Sequence, residues 1–379
     1  MRLTGIGVDH FRSLYSADLA LKPLTLIIGP NGSGKSNLFK ALRFLQAGVA
    51  GDIQEWKNYE AEVDDLPWYG LGPTGARPES FGIALSFEGS PIGAMRYQTR
   101  FNTAGSLKVG SEFIQWSDGT HEFRDHFPQK SSKTLGLRDF GSYVSTPSGV
   151  FYQHIAGWRI FEAFPRLARQ SQFIAPDPDE IPPLEPDASN LSAFLYALHR
   201  LRPDDLEEVL AAVRRSIDLP QDILIEHDGS RGGRQARYRF IENAFGADRP
   251  IPPESMSDGT IRLLAQMALL LADRSATLIG LEEPDSGLHP SLMPYLADAL
   301  RQALRLEIGE GLTRQAIVVT HSPELMDCFD LAEEADSLQV YVTERDERGQ
   351  TLFTPMDAER FAPWLEKYRL GEAVRRRFV

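Results

Sequence analysis

Residues 29–36 have the residue types and the spacing of a phosphate-binding loop. They read Gly, four residues, Gly, Lys and Ser, after the apolar segment 24–28 and before apolar residues at helical spacing. Glycines let main-chain N–H groups turn inward around phosphate oxygens, Lys35 supplies charge to the β- and γ-phosphates, and Ser36 supplies an oxygen to Mg²⁺. The predicted nucleotide-binding residues here are Gly29, Pro30, Asn31, Gly32, Ser33, Gly34, Lys35, Ser36 and Asn37.

A second apolar segment, 276–281, ends in two carboxylates, Glu282 and Glu283. Strands of doubly wound sheets present their carboxyl ends to the ligand. Glu282 is therefore a candidate for ordering Mg²⁺ beside Ser36, and Glu283 is a candidate general base that holds and deprotonates an attacking water. Taken alone, the pair could also be a solvated acidic turn. The neighbouring phosphate loop favours the catalytic interpretation.

Two shorter motifs could complete such a site. Ser257, Asp258 and Gly259 open a predicted helix over 258–272, and small residues at a helix N-terminus form an anion site. The alternative is a plain helix cap made by Ser257. His321 follows an apolar segment and could hydrogen-bond a γ-phosphate or the attacking water, or could be an ordinary loop histidine.

The composition restricts the function classes. The chain has 379 residues, 42% hydrophobic and 25% charged, as expected for a globular protein of one or two domains. Its net charge of −13 excludes a bulk nucleic-acid coat, and its one cysteine, Cys328, excludes a disulfide framework or a multi-cysteine zinc site. The N-terminal residues lack a signal-peptide core, and no apolar stretch approaches the roughly 20 residues that span a bilayer. We therefore expect a cytoplasmic protein without a membrane partner.

The patterns along the chain predict an α/β nucleotide-binding core that is interrupted by a mixed middle. Strands over 81–87, 95–101 and 107–116 form an antiparallel block in this prediction. Further elements are predicted as helices over 35–46, 191–201, 204–217 and 290–306 and as a hairpin over 222–240. The predicted segments are 1–47, the first part of the ATPase core; 48–157, a β-rich lobe with a surface insertion; 158–250, an insertion of helices and a hairpin; and 251–379, the second part of the core.

In their order, the motifs resemble the ATPase heads of the SMC/RecF branch of ABC-type ATPases, and within it the compact RecF-like, AAA-domain ATPases related to the OLD family. The residues that carry the resemblance are the opening His10–Leu14, the loop Gly29–Asn37, the signature Ser257–Thr260, the Walker B and D-loop segment Glu282–Pro290 with Asp285, and the switch histidine His321. Three departures stand beside it. No convincing Q-loop is found among Gln153, Gln170 and Gln172, and the sequence shows neither a coiled-coil arm nor a Toprim nuclease domain.

The resemblance implies an α/β fold, the P-loop NTPase head of ABC type with a mixed β-rich lobe and an inserted helical region. It also implies a homodimer that closes around Mg·ATP, with Ser257, Asp258 and Gly259 of one head acting in trans, Arg12 near the nucleotide, and Asp285 in the D-loop. The implied function is an ATP hydrolase that acts as a switch in DNA repair or anti-phage defence. The alternative is a slow-turnover, nucleotide-held scaffold that restrains a partner nuclease or toxin. A transporter motor is disfavoured, because the signature is Ser-Asp-Gly-Thr.

A cluster of arginines could contact nucleic-acid phosphates in this acidic chain. Arg231, Arg234, Arg237 and Arg239 lie within 230–241, a segment with no acidic residue. The alternative is a solvated hairpin tip. Direct DNA binding through these four residues is therefore a prediction that depends on where the hairpin places them.

Overall fold

The structure is a computed structural model. It describes residues 1–51, 53, 65–71, 75–89, 93–117, 122–127, 134–141, 146–174, 178–217, 222–228, 235–241, 250–308, 312–356 and 370–375. The strands in this part of the chain are β1 (Arg2–Phe11), β2 (Leu14–Ala20), β3 (Leu24–Ile28), β4 (Ser80–Gly89), β5 (Gly93–Asn102), β6 (Lys108–Ser117), β7 (Glu122–His126), β8 (Trp158–Phe161), β9 (Gln172–Phe173), β10 (Asp222–Asp228), β11 (Gln235–Ile241), β12 (Leu278–Glu282), β13 (Gln315–Thr320), β14 (Leu338–Arg345) and β15 (Thr351–Pro355).

The helices of the same residues surround these strands. The α-helices are α1 (Lys35–Ala50), α2 (Pro147–Ala156), α3 (Pro165–Ala168), α4 (Leu191–Leu201), α5 (Pro203–Ser216), α6 (Asp258–Ala272), α7 (Met293–Ala303), α8 (Pro323–Met326) and α9 (Leu370–Arg375). Short 3₁₀ helices span Gly136–Phe140, Pro253–Ser255 and Pro290–Leu292.

A six-stranded sheet in the order β15-β14-β3-β13-β12-β8 contains β3, the strand that precedes the predicted phosphate loop. All its neighbours pair in parallel except β14 and β15, which form an antiparallel hairpin. Strands β3 and β13 are buried along their whole length, which is why they read as continuous apolar segments. Because β13 lies between β3 and β12, the residues that follow these three strands emerge side by side at one edge of the sheet.

The second six-stranded sheet is antiparallel in the order β2-β1-β4-β5-β6-β7, as the alternating pattern over 81–116 predicts. Its buried face packs on α1, with Phe44 between Phe81 and Phe101 at ring-centroid distances of 5.3 and 4.8 Å. The helix of the phosphate loop is therefore held between the two sheets.

The parallel sheet separates two hydrophobic cores, because alternate residues of its strands face opposite sides. Leu24, Leu26 and Ile28 face a core built with α4, α5, α6 and α7, whereas Ile27 faces the core shared by α1 and the antiparallel sheet. Each side chain fully buried in this way contributes roughly 1.5–3 kcal/mol relative to exposure. A three-stranded sheet, β10-β11-β9, lies beside the first of these cores.

Several element boundaries differ from the sequence-based expectation. Helix α1 continues past residue 46 to Ala50, where Gly51 caps it, and the predicted helix over 290–306 is a 3₁₀ turn followed by the shorter α7. Pro294, in the first turn of α7, lacks the N–H that a longer helix would need at that point. Strand β8 was not predicted, because four residues that follow a helix carry no periodicity of their own.

The four segments predicted along the chain stay a prediction, and strand pairing cuts across two of them. Strands β1 and β2 of segment 1–47 pair within the antiparallel sheet, and β8 of segment 158–250 pairs with β12 in the parallel sheet. Residues 66–69 of the expected surface insertion pair with the end of β1, and Leu66 is fully buried. Among the described helices, none is long and apolar enough to cross a membrane.

Candidate phosphate and catalytic site

The predicted site residues meet at the carboxyl edge of the parallel sheet. The phosphate loop follows β3, His321 follows β13, and Glu283 follows β12, so the central strand places the histidine between the loop and the carboxylates. Register fixes this arrangement, since Thr320 lies opposite Ile28 and Glu282 lies opposite Val319. The edge is where a parallel sheet presents a ligand site.

The phosphate loop wraps around the side chain of its own lysine. Lys35 Nζ donates to the carbonyl oxygens of Gly29 at 2.8 Å and Pro30 at 2.9 Å. Burial lowers the pKa of Lys35, and the charges of Glu283 and Glu282 act in the opposite direction. The ammonium thus lies against the loop carbonyl oxygens and is influenced by the charge of both carboxylates.

Glu283 occupies a turn with an unusual backbone. Its φ is +45°, a region that side chains other than glycine seldom adopt, and its N–H donates to the carbonyl oxygen of Val319 at 2.8 Å. The Ser286 N–H donates to the Glu283 carbonyl oxygen at 2.9 Å. These bonds hold the carboxylate at the sheet edge, and non-glycine residues held this way occur more often at functional sites.

The histidine and the D-loop aspartate are tied to the same turn. His321 Nδ1 lies 3.2 Å from Glu283 Oε1, and both side chains are partly exposed. Thr320 Oγ1 donates to Asp285 Oδ1 at 2.6 Å. The edge therefore brings His321 within hydrogen-bond reach of Glu283, the candidate base.

Ser257 acts as the N-cap of α6, since its Oγ accepts from the Thr260 N–H at 3.1 Å. Arg169 holds the preceding turn by donating to the carbonyl oxygens of Pro253 and Met256, and it pairs with Asp258 at 2.6 Å. Ser257 and Asp258 are exposed. The helix cap that was the alternative interpretation of Ser257 is therefore present. Because Ser257 is exposed, it is also accessible to a second chain.

Arg12 lies next to the loop at the turn between β1 and β2. It has φ +51°, it is 8% exposed, and its N–H donates to the carbonyl oxygen of Leu66 at 2.9 Å. The following residue, Ser13, contacts the first turn of α1 through Asn37, whose Nδ2 donates to Ser13 Oγ at 2.7 Å. The β1–β2 turn therefore forms one wall of the phosphate site.

Several residues that hold this site were not predicted from the sequence. Ser13, Thr343 and Thr351 are buried around the phosphate loop, and Gln266 donates to the carbonyl oxygen of Pro284 at 2.8 Å. The one available signal for these residues was Gln266, a polar residue inside the apolar segment 263–272. Thr343 and Thr351 show no local pattern, and the sequence marks Ser13 only as a member of the opening motif His10–Leu14.

Other sequence candidates lie elsewhere. Gln153 is on α2, and Gln170 and Gln172 lie near α3 and β9, so none follows a strand of the parallel sheet. Glu162 is the residue that follows β8 at the catalytic edge, next to β12.

Of the arginine cluster, Arg231 and Arg234 are outside the described residues. Arg237 and Arg239 lie on β11, and Arg239 Nε is 3.0 Å from Glu226 of the paired strand β10, so this part of the cluster is not free of acids.

The donor set fits Mg²⁺ together with a nucleotide. Ser36 in the first turn of α1 and Glu282 at the end of β12 are both partly exposed and offer the hard oxygen ligands that this ion prefers. Among the described residues, no group of three or more His, Cys, Asp or Glu side chains could hold a metal alone. That agrees with sites where one or two protein oxygens and the phosphates share the ion.

Comparison with known proteins identifies the family. The family model "AAA domain, putative AbiEii toxin, Type IV TA system" matches residues 24–327. A segment of 91 residues is 33% identical to the DNA replication and repair protein RecF of Yersinia enterocolitica and to that of Erwinia tasmaniensis. It covers 24% of this chain and only 25% of each relative.

Solved structures show the same fold. The SMC head in complex with the C-terminal winged-helix domain of ScpA superposes with a TM-score of 0.59 at 14% identity, over 95% of this chain and 99% of that chain. The SMC head domain of Thermotoga maritima superposes with a TM-score of 0.51 at 15% identity, over 94% of this chain and 100% of that chain. The expected fold, an ABC-type P-loop head like that of the SMC proteins, is thereby confirmed, and the chain belongs to the AAA-domain family of that description.

Proposed function

We propose that this chain binds Mg·ATP on the phosphate loop and hydrolyses it, and that the cycle switches a head-to-head dimer between two states. The observation that carries the proposal is the meeting of Lys35, Glu283 and His321 at one sheet edge, with His321 Nδ1 3.2 Å from Glu283 Oε1. A phosphate site next to a base of this kind is the arrangement that hydrolysis of a γ-phosphate needs.

Each residue then has one part in the reaction. The loop amides and Lys35 bind the β- and γ-phosphates. Ser36 and Glu282 would hold Mg²⁺, which would supply positive charge next to the phosphate oxygens. Glu283 accepts a proton from the attacking water, and His321 orients that water or the γ-phosphate. Arg12, in the turn between β1 and β2, adds positive charge near the nucleotide.

The dimer part of the proposal rests on the exposed signature. Ser257, Asp258 and Gly259 lie at the N-terminus of α6, which carries a positive partial charge. In a head-to-head pair, this N-terminus would close on the γ-phosphate bound by the other copy. The membership in a family close to RecF supports a role in DNA repair or anti-phage defence.

The family description favours a second candidate. It names a putative toxin and a type IV toxin–antitoxin system, which supports the scaffold alternative, in which bound ATP stabilises a complex that restrains a nuclease or toxin chain. The two candidates differ in turnover. A switch hydrolyses ATP continuously in the absence of a partner, whereas a scaffold hydrolyses it slowly until the partner is released.

The test of the proposal is a pair of variants measured for binding and for hydrolysis. Lys35→Ala should abolish measurable Mg·ATP binding by calorimetry, because the phosphates lose their main positive charge. Glu283→Gln should bind Mg·ATP like the wild type and hydrolyse it roughly 10²–10⁴-fold more slowly, the range expected for a lost general base. Both variants should retain the wild-type circular dichroism spectrum.

The results can contradict separate parts of the proposal. Unchanged affinity in Lys35→Ala would remove the phosphate-loop assignment. Wild-type turnover in Glu283→Gln would transfer the role of base to Glu282 or His321. Wild-type protein that binds ATP tightly with negligible turnover would favour the scaffold over the switch.

A further inference from the structure

A chain of buried hydroxyl groups lies directly behind the phosphate loop. It joins Ser13 from the β1–β2 turn, Ser33 from the loop, and Thr343 and Thr351 from the β14–β15 hairpin. These four residues are between 0% and 3% exposed. We call them the hydroxyl clamp. They bring together parts of the chain as far apart as residues 13 and 351, so the clamp exists only in the folded protein.

Proton counting fixes the direction of every bond in the clamp. Thr351 Oγ1 donates to the Ser33 carbonyl oxygen at 2.8 Å, so its contact with Ser13 Oγ at 2.7 Å must be donated by Ser13. Ser13 Oγ in turn accepts from Asn37 Nδ2 at 2.7 Å. Thr343 Oγ1 donates to the Ile28 carbonyl oxygen at 3.0 Å, so Ser33 Oγ donates to Thr343 at 2.9 Å. Every hydroxyl donates once and accepts at least once, apart from Ser33 Oγ, which donates.

The clamp acts on the main chain of the loop at its two ends. Because the peptide unit is planar and trans, a Ser33 carbonyl oxygen held by Thr351 directs the Gly34 N–H to the opposite side, away from Thr351. Thr351 also leaves no room for a side chain at Gly34, whose φ is +99°. Thr343 does the same at Gly29. Thr351 therefore requires glycine at position 34, and Thr343 requires glycine at position 29.

We propose that Thr351, supported by Ser13 and Thr343, is a positioning residue that holds the phosphate loop in its binding conformation before the nucleotide arrives. The predicted effect on nucleotide affinity rests on the proposed function. The predicted ordering of the loop rests on the clamp geometry alone. A loop ordered in advance does not lose conformational freedom on binding, so the clamp raises affinity without touching the ligand.

The test compares Thr351→Val with Thr351→Ser. Valine keeps the shape and the β-branch but removes the hydroxyl, and serine keeps the hydroxyl. A matched control is Thr99→Val, because Thr99 is a buried strand threonine of the antiparallel sheet whose Oγ1 donates to the Ser111 carbonyl oxygen. The readouts are hydrogen exchange of a peptide covering residues 29–37 without nucleotide, and KM and kcat for ATP.

We expect Thr351→Val to speed exchange of the loop peptide and to raise KM for ATP by about tenfold, which corresponds to 1.4 kcal/mol, with little change in kcat. A merely structural loss would lower the active fraction, and so kcat, without moving KM. Thr351→Ser should restore most of the affinity, and Thr99→Val should leave both readouts unchanged.

Two results would overturn the proposal, and each is separable from the failure of ATP binding itself. Loop exchange in Thr351→Val equal to that of the wild type would show that the clamp does not order the loop, whatever the protein binds. If the wild type binds ATP, faster exchange in Thr351→Val with an unchanged KM would show that order in the loop does not affect nucleotide affinity. Wild-type protein that binds no ATP would contradict the proposed function, and the exchange measurement would still decide the clamp.

Discussion

The side-chain amide of Gln266 donates a hydrogen bond of 2.8 Å to the carbonyl oxygen of Pro284. Pro284 directly follows Glu283, whose φ of +45° needs support from its surroundings. At the other end of the same turn, Gly259 packs against the main chain of Gly287. Helix α6, which begins with the signature, is therefore joined at two points to the turn that carries the proposed base.

Gln266→Leu tests that link. Leucine fills a similar volume but offers no donor to the Pro284 carbonyl oxygen, so the turn loses one of its supports. We expect kcat for ATP to fall by about fivefold and KM to stay within twofold, since hydrogen bonds of this kind are worth about 1 kcal/mol. Gln266 is 4% exposed and its Oε1 has no hydrogen-bond partner among the described residues, so leucine should not lower the free energy of unfolding much.

The control for that experiment is Gln302→Leu on α7, where the amide bonds Glu208 far from the catalytic edge. It should leave kcat unchanged. Equal kcat values for Gln266→Leu and the wild type would show that the Glu283 turn holds its conformation without the Gln266 hydrogen bond.

Ser257→Arg addresses the dimer. A bulky cation at this exposed position would occupy the space into which the γ-phosphate of the other copy should dock, so ATP should still bind the monomer while ATP-dependent dimerisation and hydrolysis fail. Light scattering with ATP in the Glu283→Gln background measures the dimer directly. Ser257→Ala is the control, because it loses the cap to Thr260, worth about 1 kcal/mol, without adding bulk. An ATP-dependent dimer of Ser257→Arg would leave the residue as a helix cap only.

The phosphate loop, the two carboxylates and the order of the core elements were predictable because each depends on neighbours in the chain. The apolar strand, the glycines and the helix that follows lie within residues 24–50, and β12 ends in Glu282. Periodicity and spacing report such local relationships well. That is why helix α6 was predicted at its observed bounds, Asp258–Ala272.

The residues that support the site could not be predicted in the same way. Ser13 and Thr351 are 338 positions apart, and although Ser13 lies in the opening motif His10–Leu14, no pattern in the sequence links it to Thr351. Strand β8 is visible only through its pairing with β12, in which Trp158 lies opposite Leu278. Such relationships depend on tertiary packing, which overrides local preference.

His154 gives the protein a pH-dependent stability. Burial lowers the pKa of its imidazole to about 3, while the ordinary value in the unfolded chain is 6.5. Between those values the unfolded chain binds the extra proton, so stability is lost as the pH falls below 6.5. The loss between pH 7 and pH 5 amounts to about 2 kcal/mol from this group.

Urea unfolding at pH 7 and pH 5 measures that loss. His154→Gln removes the titrating group and keeps an acceptor for the Trp158 indole N–H, which bonds His154 Nδ1 at 3.1 Å in the wild type. The variant should lose about 2 kcal/mol less than the wild type over the same interval. His199→Gln, a change at an exposed histidine of α4, should keep the wild-type dependence. Parallel losses in wild type and His154→Gln would place the imidazole in contact with water.

The positions of the hairpin arginines determine what DNA binding we expect. Arg239 is paired with Glu226 across the hairpin, and Arg237 lies opposite Glu226 in the strand register, so the acid competes with phosphates for both. We expect weak binding by a single copy, and stronger binding when ATP brings two copies together in Glu283→Gln, since two weak patches on one body gain from effective concentration.

Anisotropy titrations of duplex DNA between about 50 mM and about 200 mM salt with the ATP-bound Glu283→Gln protein decide this prediction, because each neutralised phosphate adds about 0.9 to the log–log slope. Changing Arg231, Arg234, Arg237 and Arg239 to Ala should weaken binding and flatten that slope. Glu226→Gln should strengthen binding, since it releases Arg239 from its ion pair, whereas a merely solvated hairpin would respond to neither change. Absence of binding at the lower salt would remove direct DNA contact as the output of the switch and would favour the scaffold that holds a protein partner.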